Sequence, residues 1–170
     1  GAGAVRLVGS VAVLVLVDLQ PQARAWGWSR LVFGRWPLRG IGGLRFSKVL
    51  GSGAGGGFGV TPSSTHGGLF LVFDDEPAAR AFVEDSPVLA GYRAHARECC
   101  VAVLRASSSK GSWSGAAMQP TATAPADGPI AALTRASIRP RHARAFWCQS
   151  PATERALEAA PGCLLAAGLG

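Results

Sequence analysis

Two stretches of this sequence recur later in the chain at one common spacing. VAVLVLVDLQPQARAW, residues 11–26, aligns with IAALTRASIRPRHARAF, residues 130–146, apart from one inserted residue after the proline. GLRFSKVLG, residues 43–51, aligns with GCLLAAGLG, residues 162–170, at the same spacing. Two separate segments that share one spacing indicate an internal repeat, although short apolar strands also resemble one another by chance.

The first copy begins with a strand and a helix. VAVLVLVDL, residues 11–19, is short, continuous and rich in β-branched residues, which is typical of a buried strand. Pro21 suits the first turn of a helix, and Trp28 and Val32 recur at helical spacing in a segment that ends near Trp36.

Three further strands and a broken helix complete this copy. The strands are predicted over residues 44–50, 68–75 and 99–105. Acidic residues and a proline at 74–77 mark one helix start, and Ser86 followed by proline marks a second start. The side chains of this broken helix that we expect to be buried are Phe82, Val83, Val88, Leu89 and Tyr92.

The order strand, helix, strand, strand, helix, strand is that of a ferredoxin-like unit, so the sequence predicts an α+β fold. Residues 1–115 form the first repeat, and residues 116–127, rich in Ala, Pro and Thr, form a linker. Residues 128–170 supply only strand, helix and strand, so we expect the second repeat to be incomplete. Its open sheet edge then needs a partner chain or a covering loop.

Composition and charge narrow the classes of partner. Apolar residues make up 48% of the 170 residues, which is enough for a buried core. The net charge of +7 predicts attraction to an anionic surface, but scattered arginines argue against nucleic-acid binding. The longest apolar run, residues 11–17, is too short to span a bilayer, and four cysteines without C-x-x-C spacing predict reduced thiols and no zinc site. We expect a cytoplasmic protein that contacts the inner membrane surface peripherally.

A glycine-rich stretch, KVLGSGAGGGFGV at residues 48–60, contains the spacing G-x-G-x-x-G. A dinucleotide-binding turn must open directly into a helix, whose N-terminus holds the pyrophosphate. The following GVTPSSTHGG has the wrong composition for a helix, so NAD binding is not expected. The stretch predicts a hairpin connection between two strands, or a loop whose bare backbone lets a bulky ligand approach closely.

Several motifs together resemble the spheroidene monooxygenase family, bacterial enzymes that oxidise acyclic carotenoids. The matching stretches run in family order over nearly the whole chain. They are FSKVLGSGAGGGFG at 46–59, KGSWSG at 110–115, GPIAALTRASIRP at 128–140, FW at 146–147, and PG before GLG within 161–170. The sequence departs from the family at PSSTHGG, at AAMQP after WSG, and at its C-terminus, where the family pattern continues.

The resemblance implies a dimeric α/β barrel built from two ferredoxin-like halves, which agrees with the repeat. It also implies oxygen-dependent hydroxylation near the end of a long carotenoid, repeated at the same carbon to give a ketone. A haem cofactor, reduced ferredoxin as electron donor and a homo-oligomer belong to the same expectation. The alternatives are a non-catalytic or differently specific ligand-binding barrel, or a fragment without activity.

The residues expected to bind a cofactor or line its pocket are Lys48, Gly51, Ser52, Gly53, Trp113, Ser114, Thr134 and Arg135. Lys48 could meet a haem propionate, or it could be an exposed lysine that guards a sheet edge. Trp113 could close the pocket with its large apolar face, or it could anchor a loop on the core.

Alternation in the predicted strand over residues 130–139 places Thr134 on the face that packs on helices and Arg135 in the barrel interior. By the repeat, Asp18 is expected close to Arg135, as an ion pair or beside a ligand. No catalytic residue is assigned, and no haem ligand is chosen among the candidate His66, His95 and His142.

Overall fold

The computed structural model describes residues 3–53, 62–135 and 160–169. In chain order its strands are β1 (Val5–Leu7), β2 (Val11–Leu19), β3 (Leu44–Gly53), β4 (Pro62–Phe73), β5 (Ala96–Leu104) and β6 (Ala116–Met118). Its helices are α1 (Arg24–Phe33), entered through a 3₁₀ turn at Pro21–Ala23, α2 (Glu76–Asp85) and α3 (Pro87–His95). No helix among the described residues is long and apolar enough to cross a bilayer.

Strands β2 to β5 form one antiparallel sheet in the order β3-β4-β2-β5. Helix α1 connects β2 to β3, and the pair α2 and α3 connects β4 to β5. This order and connectivity are those of a ferredoxin-like unit, so the predicted α+β class is confirmed. The predicted strand over residues 11–19 has the same bounds as β2, whereas β4 begins six residues before the predicted strand.

Alternation along β2 gives the sheet two different faces. Val13, Val15 and Val17 pack with α2 and α3 in the main core. The intervening Ala12 joins a second buried cluster with Leu7, Leu50, Phe70 and Val72. We call the side that carries this second cluster the open face, because the described helices pack on the other side.

The broken helix is confirmed, and local chemistry explains it. The carboxylate of Asp75 accepts a hydrogen bond from the Ala78 backbone N–H at 2.9 Å and caps α2. Ser86 ends α2 and also caps α3, where its hydroxyl accepts from the Val88 N–H at 3.2 Å. Of the side chains expected to be buried, Phe82, Leu89 and Tyr92 are buried, and Val83 and Val88 are partly buried against the same core.

The glycine-rich stretch lies in a hairpin, as one of its two interpretations predicts. Strands β3 and β4 pair antiparallel up to Gly53 and Pro62, so the next described element after the glycines is a strand. Residues 54–61, which include Gly56, lie outside the described residues. The G-x-G-x-x-G spacing therefore connects two strands of one sheet.

The structure contains two short strands that the sequence did not predict, and the described start of one predicted strand is not a strand. β1 and β6 pair in parallel, so the first three residues of the expected linker form a strand. Residues 130–135, predicted as the start of a strand, are exposed and not in a strand, since they pair with no described strand. Residues 136–159 lie outside the described residues, so the second repeat and its boundaries stay a prediction.

Candidate functional site

Three aromatic rings gather on the open face. Phe46 on β3 and Phe70 on β4 come from neighbouring strands, and Trp113 from the segment after β5 lies against both. The ring centroids of Trp113 and Phe70 are 5.6 Å apart and nearly parallel, and those of Trp113 and Phe46 are also 5.6 Å apart. Aromatic pairs at this distance stabilise a packed surface beyond their burial alone.

Two cations meet these rings. The Lys48 Nζ lies 5.5 Å from the Phe46 ring centroid and 5.8 Å from that of Trp113, and it donates a hydrogen bond of 2.8 Å to Ser114 Oγ. The Arg135 guanidinium carbon lies 5.7 Å from the Trp113 ring centroid. Both cations are within the range of cation–π attraction. The five residues Phe46, Lys48, Phe70, Trp113 and Arg135 are called the open-face cluster.

The GSWSG motif positions Trp113 through a tight turn. Backbone hydrogen bonds join Trp113 and Ala116 in both directions, at 2.7 and 3.0 Å. The two residues between them have positive φ, 49° at Ser114 and 80° at Gly115. This pattern is typical of a type I′ turn, in which glycine is favoured and serine is strained.

The other predicted site residues occupy different places. Gly51 pairs with Gly67 in the sheet, and Gly53 pairs with Pro62. The Ser52 hydroxyl donates to the Gly168 carbonyl oxygen, and Ser52 forms a β-bridge with Leu169. Thr134 is exposed outside any strand. The structure thus brings Lys48, Trp113, Ser114 and Arg135 together, while their role as pocket residues stays a prediction.

Asp18 does not pair with Arg135, so that expectation is wrong. The pairing of β5 with β2 brings Arg97 beside Asp18, and both Nε and Nη2 of Arg97 donate to Asp18 Oδ2. His66 faces Asp18 across β2 and β4, with its Nδ1 3.8 Å from Asp18 Oδ1. Burial opposes ionisation of Asp18, but the hydrogen bonds from Arg97, with the charges of His66 and Arg97, lower its pKa.

We expect the Arg97→Gln variant to unfold more easily at pH 7, because the buried Asp18 carboxylate loses its charged partner. A carboxyl group with a lowered folded-state pKa stabilises the fold above its unfolded pKa of about 3.9 and loses that contribution at lower pH. The difference in urea midpoint between variant and parent should therefore shrink below about pH 4. Urea titrations from pH 3 to 7 measure it, and a constant difference contradicts this assignment.

Arg45→Gln serves as the control for that experiment. Arg45 pairs with Asp74, and both side chains are largely exposed. Exposed ion pairs contribute little to stability, so this substitution should change the midpoint only slightly at every pH.

A cleft lies on the helix side of the sheet, between α1 and the ends of β3 and β4. Its walls are mainly apolar and include Val17, Leu19, Trp28, Leu31 and Val49. Its polar lining consists of Arg30, residues 63–68 and Tyr92.

Tyr92 is one of the polar residues that line this cleft, and its hydroxyl has no hydrogen-bond partner among the described residues. The side chain is 4% exposed, and its oxygen is buried without a hydrogen bond in the described residues. Burial raises the pKa of Tyr92 to about 12, against a smaller opposite effect of the Arg30 charge, so the hydroxyl keeps its proton at neutral pH. A buried hydroxyl without a partner is costly, and a ligand oxygen could accept its hydrogen bond.

Sequence reasoning found Tyr92 as a core residue but missed the cleft. The signal was present, since a tyrosine on the buried face of a helix brings a hydroxyl that needs a partner. The Trp26 ring packs edge-on against the Tyr92 ring, with 5.0 Å between the ring centroids.

The sheet order and helix connections define a ferredoxin-like α+β protein, with an apolar cleft beside α1. Spheroidene monooxygenase from Rubrivivax gelatinosus is 50% identical over 162 residues, covering 95% of this chain and 63% of that protein. Spheroidene monooxygenase from Rhodobacter capsulatus is 36% identical over 129 residues, covering 74% of this chain and 54% of that protein. The chain belongs to the spheroidene monooxygenase family. It spans less than two thirds of the length of these relatives.

Other comparisons concern the fold. No protein-family model matches the chain. The cofactor-independent oxygenase SnoaB from Streptomyces nogalater is 17% identical, with a TM-score of 0.43 over 58% of this chain and 94% of SnoaB. A dimeric ferredoxin-like protein of unknown function from Jannaschia is 18% identical, with a TM-score of 0.40 over 58% of this chain and all of that protein.

The expected haem is a wrong prediction. The described residues of this chain show no haem-binding group. The His95 ring stacks on Trp26 at 4.3 Å between centroids, with its Nδ1 2.8 Å from the Gly91 carbonyl oxygen. The His66 Nδ1 lies 3.0 Å from Ser63 Oγ. Both rings are held by neighbours within the protein, and His142 lies outside the described residues.

Proposed function

We propose that this chain contributes the substrate site of a monooxygenase that hydroxylates an acyclic, spheroidene-like carotenoid and carries the same carbon on to a ketone. Membership of the spheroidene monooxygenase family supports the reaction class. The observation that carries the proposal is the apolar cleft with the unpartnered Tyr92 hydroxyl in its lining. An apolar polyene end and one oxygen atom are the ligand features that this lining complements.

The cleft residues have separate tasks in this proposal. Val17, Leu31 and Val49 remove the end of the polyene from water, and Trp28 covers it with a large apolar face. The Tyr92 hydroxyl donates a hydrogen bond to the oxygen that the reaction introduces. A donor fixed in an apolar wall orients a long ligand along its length, because only one position satisfies the hydroxyl.

The proposal keeps two partners implied by the family resemblance. Reduced ferredoxin supplies electrons, and copies of the chain assemble as a homo-oligomer. Contact with the inner membrane surface gives access to a substrate that partitions into lipid.

Bacteria that accumulate spheroidene and produce this chain test the function. Formation of a ketone extends the conjugated system, so we expect a red-shifted pigment and a new carotenoid ketone by liquid chromatography and mass spectrometry. The Rubrivivax gelatinosus relative in the same cells is the positive control. Unchanged pigment in cells that contain the folded chain contradicts the proposal and favours a non-catalytic ligand-binding protein.

The Tyr92→Phe substitution is expected to weaken the binding of a carotenoid ketone but not that of a carotenoid hydrocarbon. The variant keeps the ring in the core but removes the donor, so it should bind an acyclic carotenoid ketone about 3- to 10-fold more weakly. Binding of the corresponding hydrocarbon should stay the same. Quenching of tryptophan fluorescence in detergent measures both affinities. Equal weakening of both ligands would show that Tyr92 acts through packing alone.

A further inference from the structure

Helix α1 and the segment after it expose an unusual amount of apolar surface. The large apolar side chains are 39 to 68% exposed, and none of the helix's own residues is fully buried. They are Trp28, Leu31, Val32, Phe33 and Trp36. We call these five residues the α1 patch.

Members of the α1 patch lie next to one another in pairs. Trp28 and Val32 are one turn apart on α1, and the rings of Phe33 and Trp36 contact each other edge-on at 6.2 Å between centroids. Single apolar residues on a surface need no explanation, but five large ones within nine residues of the chain indicate a site of association.

The charge around the α1 patch selects an anionic partner. Between Asp18 and Asp74 the sequence contains no acidic residue and six basic ones. Three of these, Arg24, Arg35 and Arg39, are exposed at or next to α1. Apolar and aromatic side chains rimmed by arginine are typical of helices that lie in the interface of an anionic bilayer. There the indole rings sit at headgroup level, and the guanidinium groups reach the phosphates.

The α1 patch also continues into the cleft. Trp28 and Leu31 belong to both, so a surface in contact with α1 lies at the entrance of the cleft. If the cleft binds a lipid-soluble ligand, as the proposed function states, this position lets the ligand pass from the bilayer into the site without crossing water. A second protein on α1 would instead cover that entrance.

We propose that the α1 patch docks on the surface of a membrane rich in anionic phospholipid. Val32, Phe33 and Trp36 insert at the boundary between headgroups and acyl chains. Arg24, Arg35 and Arg39 bind the lipid phosphates.

Co-sedimentation of the purified 170-residue chain with vesicles tests this proposal. Vesicles of equal parts phosphatidylglycerol and phosphatidylcholine should bind the chain, and pure phosphatidylcholine vesicles should bind it at least about tenfold more weakly. Binding should weaken as salt is raised, because the Debye length shortens. Absence of binding to the phosphatidylglycerol vesicles overturns the proposal.

Two valine variants form a matched pair. Val32 in the α1 patch and Val8 elsewhere are similarly exposed, 68 and 71%. Val32→Asp should reduce partitioning onto anionic vesicles at least about tenfold, whereas Val8→Asp should change it less than about threefold. Circular dichroism checks that both variants fold like the parent. Equal partitioning of the two variants overturns the proposal. The proposal is also overturned if the parent chain is a dimer and the Val32→Asp substitution dissociates it.

These vesicles contain no carotenoid, and the measurement involves no turnover. A failure to bind vesicles therefore refutes the docking surface and leaves the pigment result as an independent test of the proposed function.

Discussion

Replacing Phe73 with alanine should lower the free energy of unfolding by about 3 to 5 kcal/mol. Phe73 is fully buried at the end of β4, and its ring packs against Phe82 on α2 at 5.4 Å between centroids. Truncation removes apolar contacts and leaves a cavity between the sheet and the helix. Urea unfolding at pH 7, followed by circular dichroism, measures the loss.

Phe33→Ala is the control for this prediction. Phe33 is 53% exposed on the α1 patch, so the same truncation should cost about 0.5 kcal/mol or less. A similar loss at both positions would contradict the outward orientation of the α1 patch.

Gly68→Ala should destabilise the chain by about 1 to 3 kcal/mol, although it adds only one methyl group. A Cβ at this position would lie 2.6 Å from the Val15 carbonyl oxygen and 3.3 Å from Leu169 Cδ1. The first neighbour belongs to the sheet backbone and cannot move aside without disturbing the pairing of β2 with β4. The urea midpoint of the variant measures this cost.

Gly42→Ala is the matched control, because a Cβ at Gly42 would meet no atom within 4 Å. Its midpoint should stay within about 0.5 kcal/mol of the parent. Equal midpoints for the two glycine variants would show that β4 adjusts to a side chain at position 68.

The first ferredoxin-like unit was predictable because its signals are local. The β-branched run at residues 11–19 specifies β2, and two successive caps at Asp75 and Ser86 specify the division between α2 and α3. β1 and β6 were missed because three residues are too few to show a period of two. The strand expected from residue 130 failed because alternation was inferred from a repeat, and the described residues 130–135 lack a pairing strand.

The candidate site was less predictable, for a physical reason. The open-face cluster was partly predictable from sequence motifs. Lys48 begins the glycine-rich stretch and Trp113 lies in GSWSG, and both were predicted site residues. The cleft joins residues from five elements spread over residues 17–92, and only the packing of α1 brings Leu31 near Tyr92. Helical spacing identified Trp28 and Val32 but not the direction in which they point, and here both are largely exposed. The haem came from the family resemblance and from no residue pattern in this chain.

The joint at Ser86 bears on the order in which the chain folds. Ser86 ends α2 and starts α3, and the hydrogen bonds that Ser86 makes there reach only from Phe82 to Ala90. The pairing of β2 with β5 joins segments at opposite ends of the unit and must first overcome the entropy of closing a long loop. Local contacts form faster than distant ones, so we expect the joint between α2 and α3 to form before the sheet. β5 is then expected to pair with β2 after this joint has set the direction of α3.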